Sequence, residues 1–127
     1  MDYKNIEDIW SQESVQEQIK NVLKTIGSLL IEKNRKYGNS AICPKRIFST
    51  ADAEEQIKVR LDDKLSRIAN HQDDDNEDPI LDSVGYMILL MVLRNLKAIE
   101  KDYKENQAIN GTTNTPVIDT AKTVISD

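Results

Sequence analysis

The stretch VGYMILLMVL, residues 84–93, decides the fold that this sequence predicts. Its residues are apolar on nearly every side of a helix, a pattern typical of a helix that is buried all round. A membrane span needs about 20 such residues, so we do not expect the stretch to cross a membrane. The three or four helices of so short a chain rarely enclose one helix within a monomer. We therefore expect a homo-oligomer, a dimer or a tetramer, with this helix in the interface.

Upstream of this stretch, apolar residues recur at three- and four-residue steps, which predicts two further long helices. The first is expected to begin at Ser14, an N-cap residue with Glu17 completing a capping box. It should run to roughly Asn34 and be terminated by Gly38. A short amphipathic piece around Ile6 precedes it.

The second long helix is expected to begin at Ser49 or Thr50 and to end near Asn70. The connection that precedes it, residues 38–50, carries apolar side chains that we expect to pack onto the bundle. These side chains are Ile42, Ile47 and Phe48.

The apolar stretch belongs to a third long helix, which is expected to begin at Pro79 with Asp78 as its N-cap and to run to about Lys104. The sequence thus predicts an all-α domain over residues 1–105, a bundle of three to four helices completed by oligomerisation. The remainder, residues 106–127, changes to Asn, Thr and small residues, and we expect a tail that is flexible or docks on a neighbouring subunit.

Composition excludes several classes of function. The 127 residues contain 17 Lys and Arg against 22 Asp and Glu, a formal net charge of −5, so sequence-blind binding to nucleic acid is not expected. Cys43 and His71 are the single cysteine and the single histidine, which excludes an internal disulfide and nearly excludes a Cys/His zinc site. The N-terminus lacks the pattern of a signal peptide, so the cytoplasm is the expected location.

Acidic residues on the second and third helices are spaced so that they can meet. Glu55, Asp62 and Asp63 lie on one strip of the second helix, away from its apolar stripe. Asp78 and Asp82 are four residues apart and share a face of the third helix. If the two helices form an antiparallel hairpin, Asp63 is the acidic residue closest to that pair.

Carboxylates that converge in this way repel one another unless a cation lies between them. Oxygen ligands suit Mg²⁺ or Mn²⁺, and these ions in turn hold substrate phosphates. A basic strip runs beside the acidic one on the second helix, and its side chains could take the remaining phosphate oxygens. It consists of Arg60, Lys64 and Arg67.

A purely structural interpretation stays open. Asp78 is explained as an N-cap, and Glu55 and Asp82 lie in first turns, where a carboxylate is favourable without any ligand. The remaining charges of the second helix could be a solvated face whose salt bridges are each worth less than about 1 kcal/mol.

Four segments resemble the MazG-type all-α nucleotide pyrophosphohydrolases, in particular the small phage branch described as MazG-like or nucleotide-modification-associated. The resemblance covers roughly residues 20–95. It is carried by EKNRKYGNSA (32–41), CPKRIFS (43–49), EEQIKVRLDDKLSRI (54–68) and DPILDSVGYMILL (78–90).

The resemblance implies a helical bundle completed by dimerisation, often into tetramers, with Mg²⁺ held by carboxylates of two adjacent helices. It implies cleavage of a nucleoside triphosphate to the monophosphate and pyrophosphate, by metal-activated water that attacks the α-phosphoryl group. The implied metal ligands are Glu55, Asp63, Asp78 and Asp82, of which Glu55, Asp63 and Asp82 are also the implied catalytic residues. Asp62 is the substitute for Asp63.

The resemblance also implies residues that bind the nucleotide. Arg60, Lys64 and Arg67 would contact phosphates or support the residues that do so. Lys33, Lys36 and Tyr37 resemble elements on the substrate side. Tyr37 could stack on a base or fill the core.

Two departures leave the activity open. The best-known members of the family carry Glu-x-x-Glu on the first metal helix, whereas here Lys58 stands three residues after Glu55. They carry Glu-x-x-Asp on the second, which appears here only as Asp75-x-x-Asp78 or as Asp78 with Asp82. Three functions follow: a Mg²⁺-dependent nucleotide pyrophosphohydrolase, a non-catalytic protein that binds and sequesters a nucleotide signal, or a structural helical oligomer. The first two take a small nucleotide as partner, and no motif indicates its base or sugar.

Overall fold

The computed structural model describes residues 2–72 and 76–110, and the chain divides into two compact units, Met1–Ser40 and Ala41–Asp127. The described residues form helices α1 (Ile6–Ile9), α2 (Gln12–Tyr37), α3 (Ala53–Ala69) and α4 (Pro79–Asn110). The predicted all-α class is therefore confirmed. The expected tail falls partly outside the described residues, since α4 continues to Asn110 and residues 111–127 are not described.

The first unit contains α1 and α2, and α2 begins one turn earlier than predicted. Its N-cap is Ser11, whose Oγ accepts a hydrogen bond from the Ser14 backbone N–H at 3.2 Å. Ser14 is instead a buried residue of the helix, and its Oγ donates to the Tyr3 hydroxyl at 3.0 Å. Choosing Ser14 as N-cap was wrong because both serines suit a cap, but only Ser11 has the extended backbone that capping needs.

The end of α2 is governed by Gly38, as predicted. Gly38 has φ +69°, a left-handed conformation that a residue with a Cβ adopts at a cost. The helix reaches Tyr37, about one turn beyond the expected end at Asn34. Asn34 stays within it, and its Nδ2 donates to Asn39 Oδ1 at 2.8 Å across the helix end.

In the second unit, α3 begins at a different cap from the one predicted. Asp52 caps it, with a carboxylate oxygen that accepts from the Glu55 backbone N–H at 2.8 Å. Ser49, one of the two expected caps, accepts instead from the Ala51 backbone N–H at 3.1 Å, so it forms a local turn before the helix. The other expected cap, Thr50, also lies before α3. The helix ends at Ala69 with Asn70 as its C-cap, which agrees with the predicted end near Asn70.

The connection before α3 packs onto the core through one apolar residue of the three expected. Ile42 contacts the core of the second unit, whereas Ile47 is exposed and Phe48 is 97% exposed. The segment folds back on itself through a hydrogen bond from Arg46 Nη1 to the Thr50 carbonyl oxygen at 3.3 Å. That local turn leaves Ile47 and Phe48 in solvent, so the prediction that these two residues pack onto the bundle is wrong.

Helices α3 and α4 pair as an antiparallel hairpin. Arg94, in the middle of α4, contacts Glu54 at the start of α3, and Asp82, at the start of α4, contacts Lys64 near the end of α3. Between these ion pairs lies the buried core of the unit, in which Ile57 is 1% exposed. Its members are Ala53, Ile57 and Leu93, with Ile42, Tyr86, Leu89 and Leu90 packed against them.

The apolar stretch of α4 is only partly covered within one chain. Gly85 and Leu93 are buried, while Met87 is 43% exposed and Val92 is also exposed. By length and composition, α4 is the one described helix apolar enough to cross a membrane, a test that core helices of soluble proteins also pass. Homo-oligomerisation through α4 stays a prediction.

Truncation of Ile57 tests the hairpin core. We expect Ile57→Ala to lower the free energy of unfolding by about 2–5 kcal/mol, because it removes a fully buried side chain and leaves a cavity. Val59→Ala, at an exposed position of the same helix, is the matched control and should change it by less than about 0.5 kcal/mol. Urea unfolding followed by circular dichroism measures both, and equal losses would contradict the assigned core.

Candidate functional site

The candidate site lies where the last turns of α3 face the segment before α4 and the first turn of α4. We call it the charge cluster, and it consists of Asp63, Lys64, Arg67, Glu77 and Asp82. Lys64 and Arg67 are its cations, and both belong to α3. Asp63 is a carboxylate of the same helix, whereas Glu77 and Asp82 follow α3 in the chain. The cluster ties together three consecutive parts of the second unit.

Lys64 is the central cation of the cluster. Its side chain is 11% exposed, and its Nζ lies 2.9 Å from Glu77 Oε2 and 3.2 Å from Asp82 Oδ2. Two carboxylates on different segments therefore share one ammonium group. A largely buried ammonium needs such partners, because an unpaired charge is costly to bury.

Arg67 is the second cation, one helical turn further along α3. Its Nη1 donates to Glu77 Oε2 at 2.6 Å, the same oxygen that Lys64 binds. Its Nε lies 3.3 Å from Asp63 Oδ2, a partner one turn back on the same helix. The spacing of three residues between Lys64 and Arg67 puts both cations on one side of α3.

The start of α4 is positioned by its cap. Asp78 Oδ1 accepts from the backbone N–H groups of Ile80 and Leu81 at 3.0 and 3.2 Å, as predicted for an N-cap. Asp82 follows one turn later and points its carboxylate at Lys64. Asp78 thus orients the first turn of α4, and Asp82 is the residue of that turn that reaches the charge cluster.

The ion pairs shift two ionisation equilibria in opposite directions. The hydrogen bond from Lys64 lowers the pKa of Glu77 below its ordinary value, with help from the nearby positive charges. The hydrogen bond to Glu77 raises the pKa of Lys64, and this outweighs the opposing effect of its burial. Both groups are therefore held in their charged forms.

A second group of ion pairs joins the other end of the hairpin. Arg94 Nε lies 3.1 Å from Glu54 Oε1, and Lys58 Nζ lies 3.6 Å from both Glu54 Oε2 and Glu55 Oε1. The hydrogen bond from Arg94 lowers the pKa of Glu54, and Lys58 lowers it further. Glu55, a predicted metal ligand, belongs to this group.

The structure brings together Asp63, Lys64, Arg67 and Asp82 among the predicted site residues. It does not bring Glu55 to them, since eight residues separate Glu55 from Asp63, about 12 Å along the helix axis. Asp78 serves as the cap of α4. Arg60 and Asp62 are exposed on α3.

The predicted substrate-side residues lie in the first unit, in the last two turns of α2. Lys33 and Lys36 are exposed. The Lys36 ammonium lies 5.2 Å from the centroid of the Tyr37 ring, a cation–π contact on the surface. The Tyr37 ring is exposed, so it does not fill the core of its unit.

Glu77 is the cluster residue that sequence reasoning missed. It belongs to the run HQDDDNED, residues 71–78, whose composition predicts a solvated acidic loop. Helical periodicity assigns no partner to a residue outside a helix. The one available signal was its position next to the Asp78 cap, which fixes that end of the segment to the first turn of α4.

The oxygen ligands of the cluster bear on the magnesium prediction. Within residues 2–72 and 76–110, no three Asp, Glu, His or Cys side chains are grouped so that they could hold a metal ion. Proteins commonly hold Mg²⁺ through only one or two carboxylates, together with water and substrate phosphates. Asp82 pairs with Lys64 and Asp63 with Arg67, so the described residues do not form the predicted cage of four carboxylates.

Comparison with known proteins gives no family for this chain. No protein-family model, no curated protein and no solved structure matches it significantly.

The electrostatic role of Lys64 can be measured at Glu77. We expect the side-chain carboxyl signal of Glu77 to titrate below the ordinary glutamate pKa of about 4.3, and Lys64→Met to move its pKa upward. Because its pKa is lowered in the folded state, Glu77 stabilises the fold at pH values above the ordinary glutamate pKa. This stabilisation is lost as the pH falls through the folded-state pKa of Glu77.

Carboxyl-detected NMR over pH 2 to 7 provides the measurement. Lys104→Met removes a lysine that pairs with Glu100 far along α4, and it should leave the Glu77 titration unchanged. An unshifted Glu77 titration in Lys64→Met would contradict the assigned ion pair.

Proposed function

We propose that this chain is a Mg²⁺-dependent nucleotide pyrophosphohydrolase, which cleaves a nucleoside triphosphate to the monophosphate and pyrophosphate. The proposal rests on one observation: a basic side chain of α3 contacts an acidic side chain of α4. Lys64 Nζ lies 3.2 Å from Asp82 Oδ2. The segments that resemble MazG-type enzymes include both of these residues.

The side chains of the cluster have distinct roles in this proposal. Asp82, with Asp63, would hold the magnesium ion, and Mn²⁺ suits the same oxygen ligands. When bound, the ion would polarise the attacked phosphoryl group and lower the pKa of a coordinated water. Lys64 and Arg67 would orient and neutralise the triphosphate, because both cations already bind an anionic oxygen.

Nucleotide binding without hydrolysis is the second candidate. It is favoured by the pairing of Lys58 with Glu54 and Glu55, at a position where the MazG-type pattern requires another carboxylate. Glu55 is paired with the Lys58 ammonium, so fewer carboxylates are available to hold the metal ion that would activate water. A chain of this kind would bind and sequester a nucleotide.

Substitution of Asp82 tests the proposed reaction. Wild-type protein incubated with Mg²⁺ and a panel of ribo- and deoxyribonucleoside triphosphates should release pyrophosphate rather than phosphate. Asp82→Asn should lower that rate by about 100-fold or more, because the amide is a poor ligand for the ion. Glu105→Gln, on the exposed end of α4, should retain the wild-type rate.

Pyrophosphate release at equal rates by wild type and Asp82→Asn would remove Asp82 from the mechanism. Tight nucleotide binding by calorimetry with no product for any member of the panel would establish the second candidate.

We further propose that α4 lies in a homo-oligomer interface, supported by the exposure of Met87 and Val92 within the apolar stretch. Met87→Glu should lower the molar mass measured by light scattering, because an unpaired carboxylate is costly to bury in an interface. Lys101→Glu, a charge change at an exposed position of the same helix, should leave the mass unchanged. A monomeric wild-type protein would overturn this interface.

A further inference from the structure

One carboxylate oxygen of Glu77 is bound by two cations at once. Its Oε2 lies 2.9 Å from Lys64 Nζ and 2.6 Å from Arg67 Nη1. Charge-assisted hydrogen bonds from Lys and Arg are also the contacts by which proteins bind phosphate groups. Both cations of α3 are thus directed at one anionic oxygen, which belongs to a side chain of the same chain.

The occupant and the site differ in how they are held. Lys64 and Arg67 belong to a regular helix, and the side chain of Lys64 is 11% exposed. Glu77 lies outside the helices, in the segment between α3 and α4, and its side chain is 41% exposed. The Lys64 side chain is thus largely enclosed, whereas Glu77 and Arg67, which is 36% exposed, are both accessible to solvent.

Each cation also keeps a second carboxylate partner. Lys64 contacts Asp82 at 3.2 Å, and Arg67 contacts Asp63 at 3.3 Å. These partners would hold both side chains in position after Glu77 leaves. Departure of Glu77 would therefore open the site without releasing the cations that form it.

We propose that Glu77 is an autoinhibitory occupant of an oxyanion site formed by Lys64 and Arg67, and that a phosphate group of the ligand must displace it. The identification of that phosphate as part of a nucleotide rests on the proposed function. Since Glu77 is attached to the site by a short segment, it competes at a high effective concentration. The apparent affinity for phosphate is then the affinity of the open site multiplied by the fraction of molecules in which the site is open.

The competition is tested by removing the charge of Glu77 while keeping its size. Glu77→Gln should bind inorganic triphosphate about tenfold more tightly than wild type, because the site is no longer occupied by an anion. Isothermal titration calorimetry in Mg²⁺-containing buffer gives the dissociation constants, since Mg²⁺ limits repulsion of the probe by Asp63 and Asp82. Glu100→Gln, on the exposed end of α4, should bind as wild type does.

The gain in affinity for triphosphate must depend on Lys64 and Arg67, the cations that Glu77 contacts. Adding Lys64→Met to Glu77→Gln should abolish it. Glu77→Asp keeps the charge on a side chain one methylene shorter and should give an intermediate affinity, and it serves as the readout if melting curves show that Glu77→Gln is unfolded. Affinity in folded Glu77→Gln no tighter than in wild type would overturn the proposal, and so would a gain that survives Lys64→Met.

Failure of this proposal is distinguishable from failure of the proposed function. A tenfold gain in Glu77→Gln, with no pyrophosphate released from any nucleotide by either protein, supports the autoinhibitory contact and rejects the enzyme. Pyrophosphate release together with unchanged triphosphate affinity in Glu77→Gln supports the enzyme and rejects the contact.

Discussion

Lys64 is the side chain on which the arrangement of the second unit depends. Its ammonium contacts Glu77 in the segment after α3 and Asp82 in the first turn of α4, so one charge fixes three consecutive parts of the chain. The pairs add little net stability, because solvent screens the exposed Glu77 and desolvation of Lys64 opposes the attraction. Their effect is on specificity, since Lys64 pairs with carboxylates from two different segments and so selects how these segments lie against α3.

The apolar core supplies what the ion pairs do not. Ile57 and Leu93 are buried between α3 and α4, and burial of apolar surface is the main favourable contribution to packing. Contacts of this kind do not determine which charged residues meet at the ends of the hairpin. The pairs of Lys64 with Asp82 and of Arg94 with Glu54 do so, one at each end.

The fold was predictable from the sequence wherever one local signal decided the outcome. Gly38 ends α2 and Asp78 caps α4 because backbone conformation and capping act over a few residues. The start of α2 was not predictable in this way, since Ser11 and Ser14 carry the same chemistry. Ser14 is distinguished by a tertiary contact with Tyr3, which no local pattern reports.

The candidate site was predictable only in part, for a related reason. Helical periodicity placed Asp63, Lys64 and Arg67 on neighbouring strips of α3, and the hairpin geometry brought Asp82 to them. Glu77 could not be found by this route, because a residue between helices has no periodicity. It is nevertheless the carboxylate that contacts both cations.

The charge balance of the cluster bears on the kind of ligand it suits. Three carboxylates surround two cations, so the cluster carries a formal charge of −1. A bare triphosphate is repelled by such a surface, whereas a triphosphate with a divalent cation brings positive charge to the carboxylates and phosphate oxygens to the cations. In the proposed function, withdrawal of Glu77 would leave Lys64 and Arg67 for the phosphates, and Asp63 and Asp82 for the metal. In that proposed state the signs of the charges would be complementary, since the cations would face phosphate oxygens and the carboxylates a divalent ion.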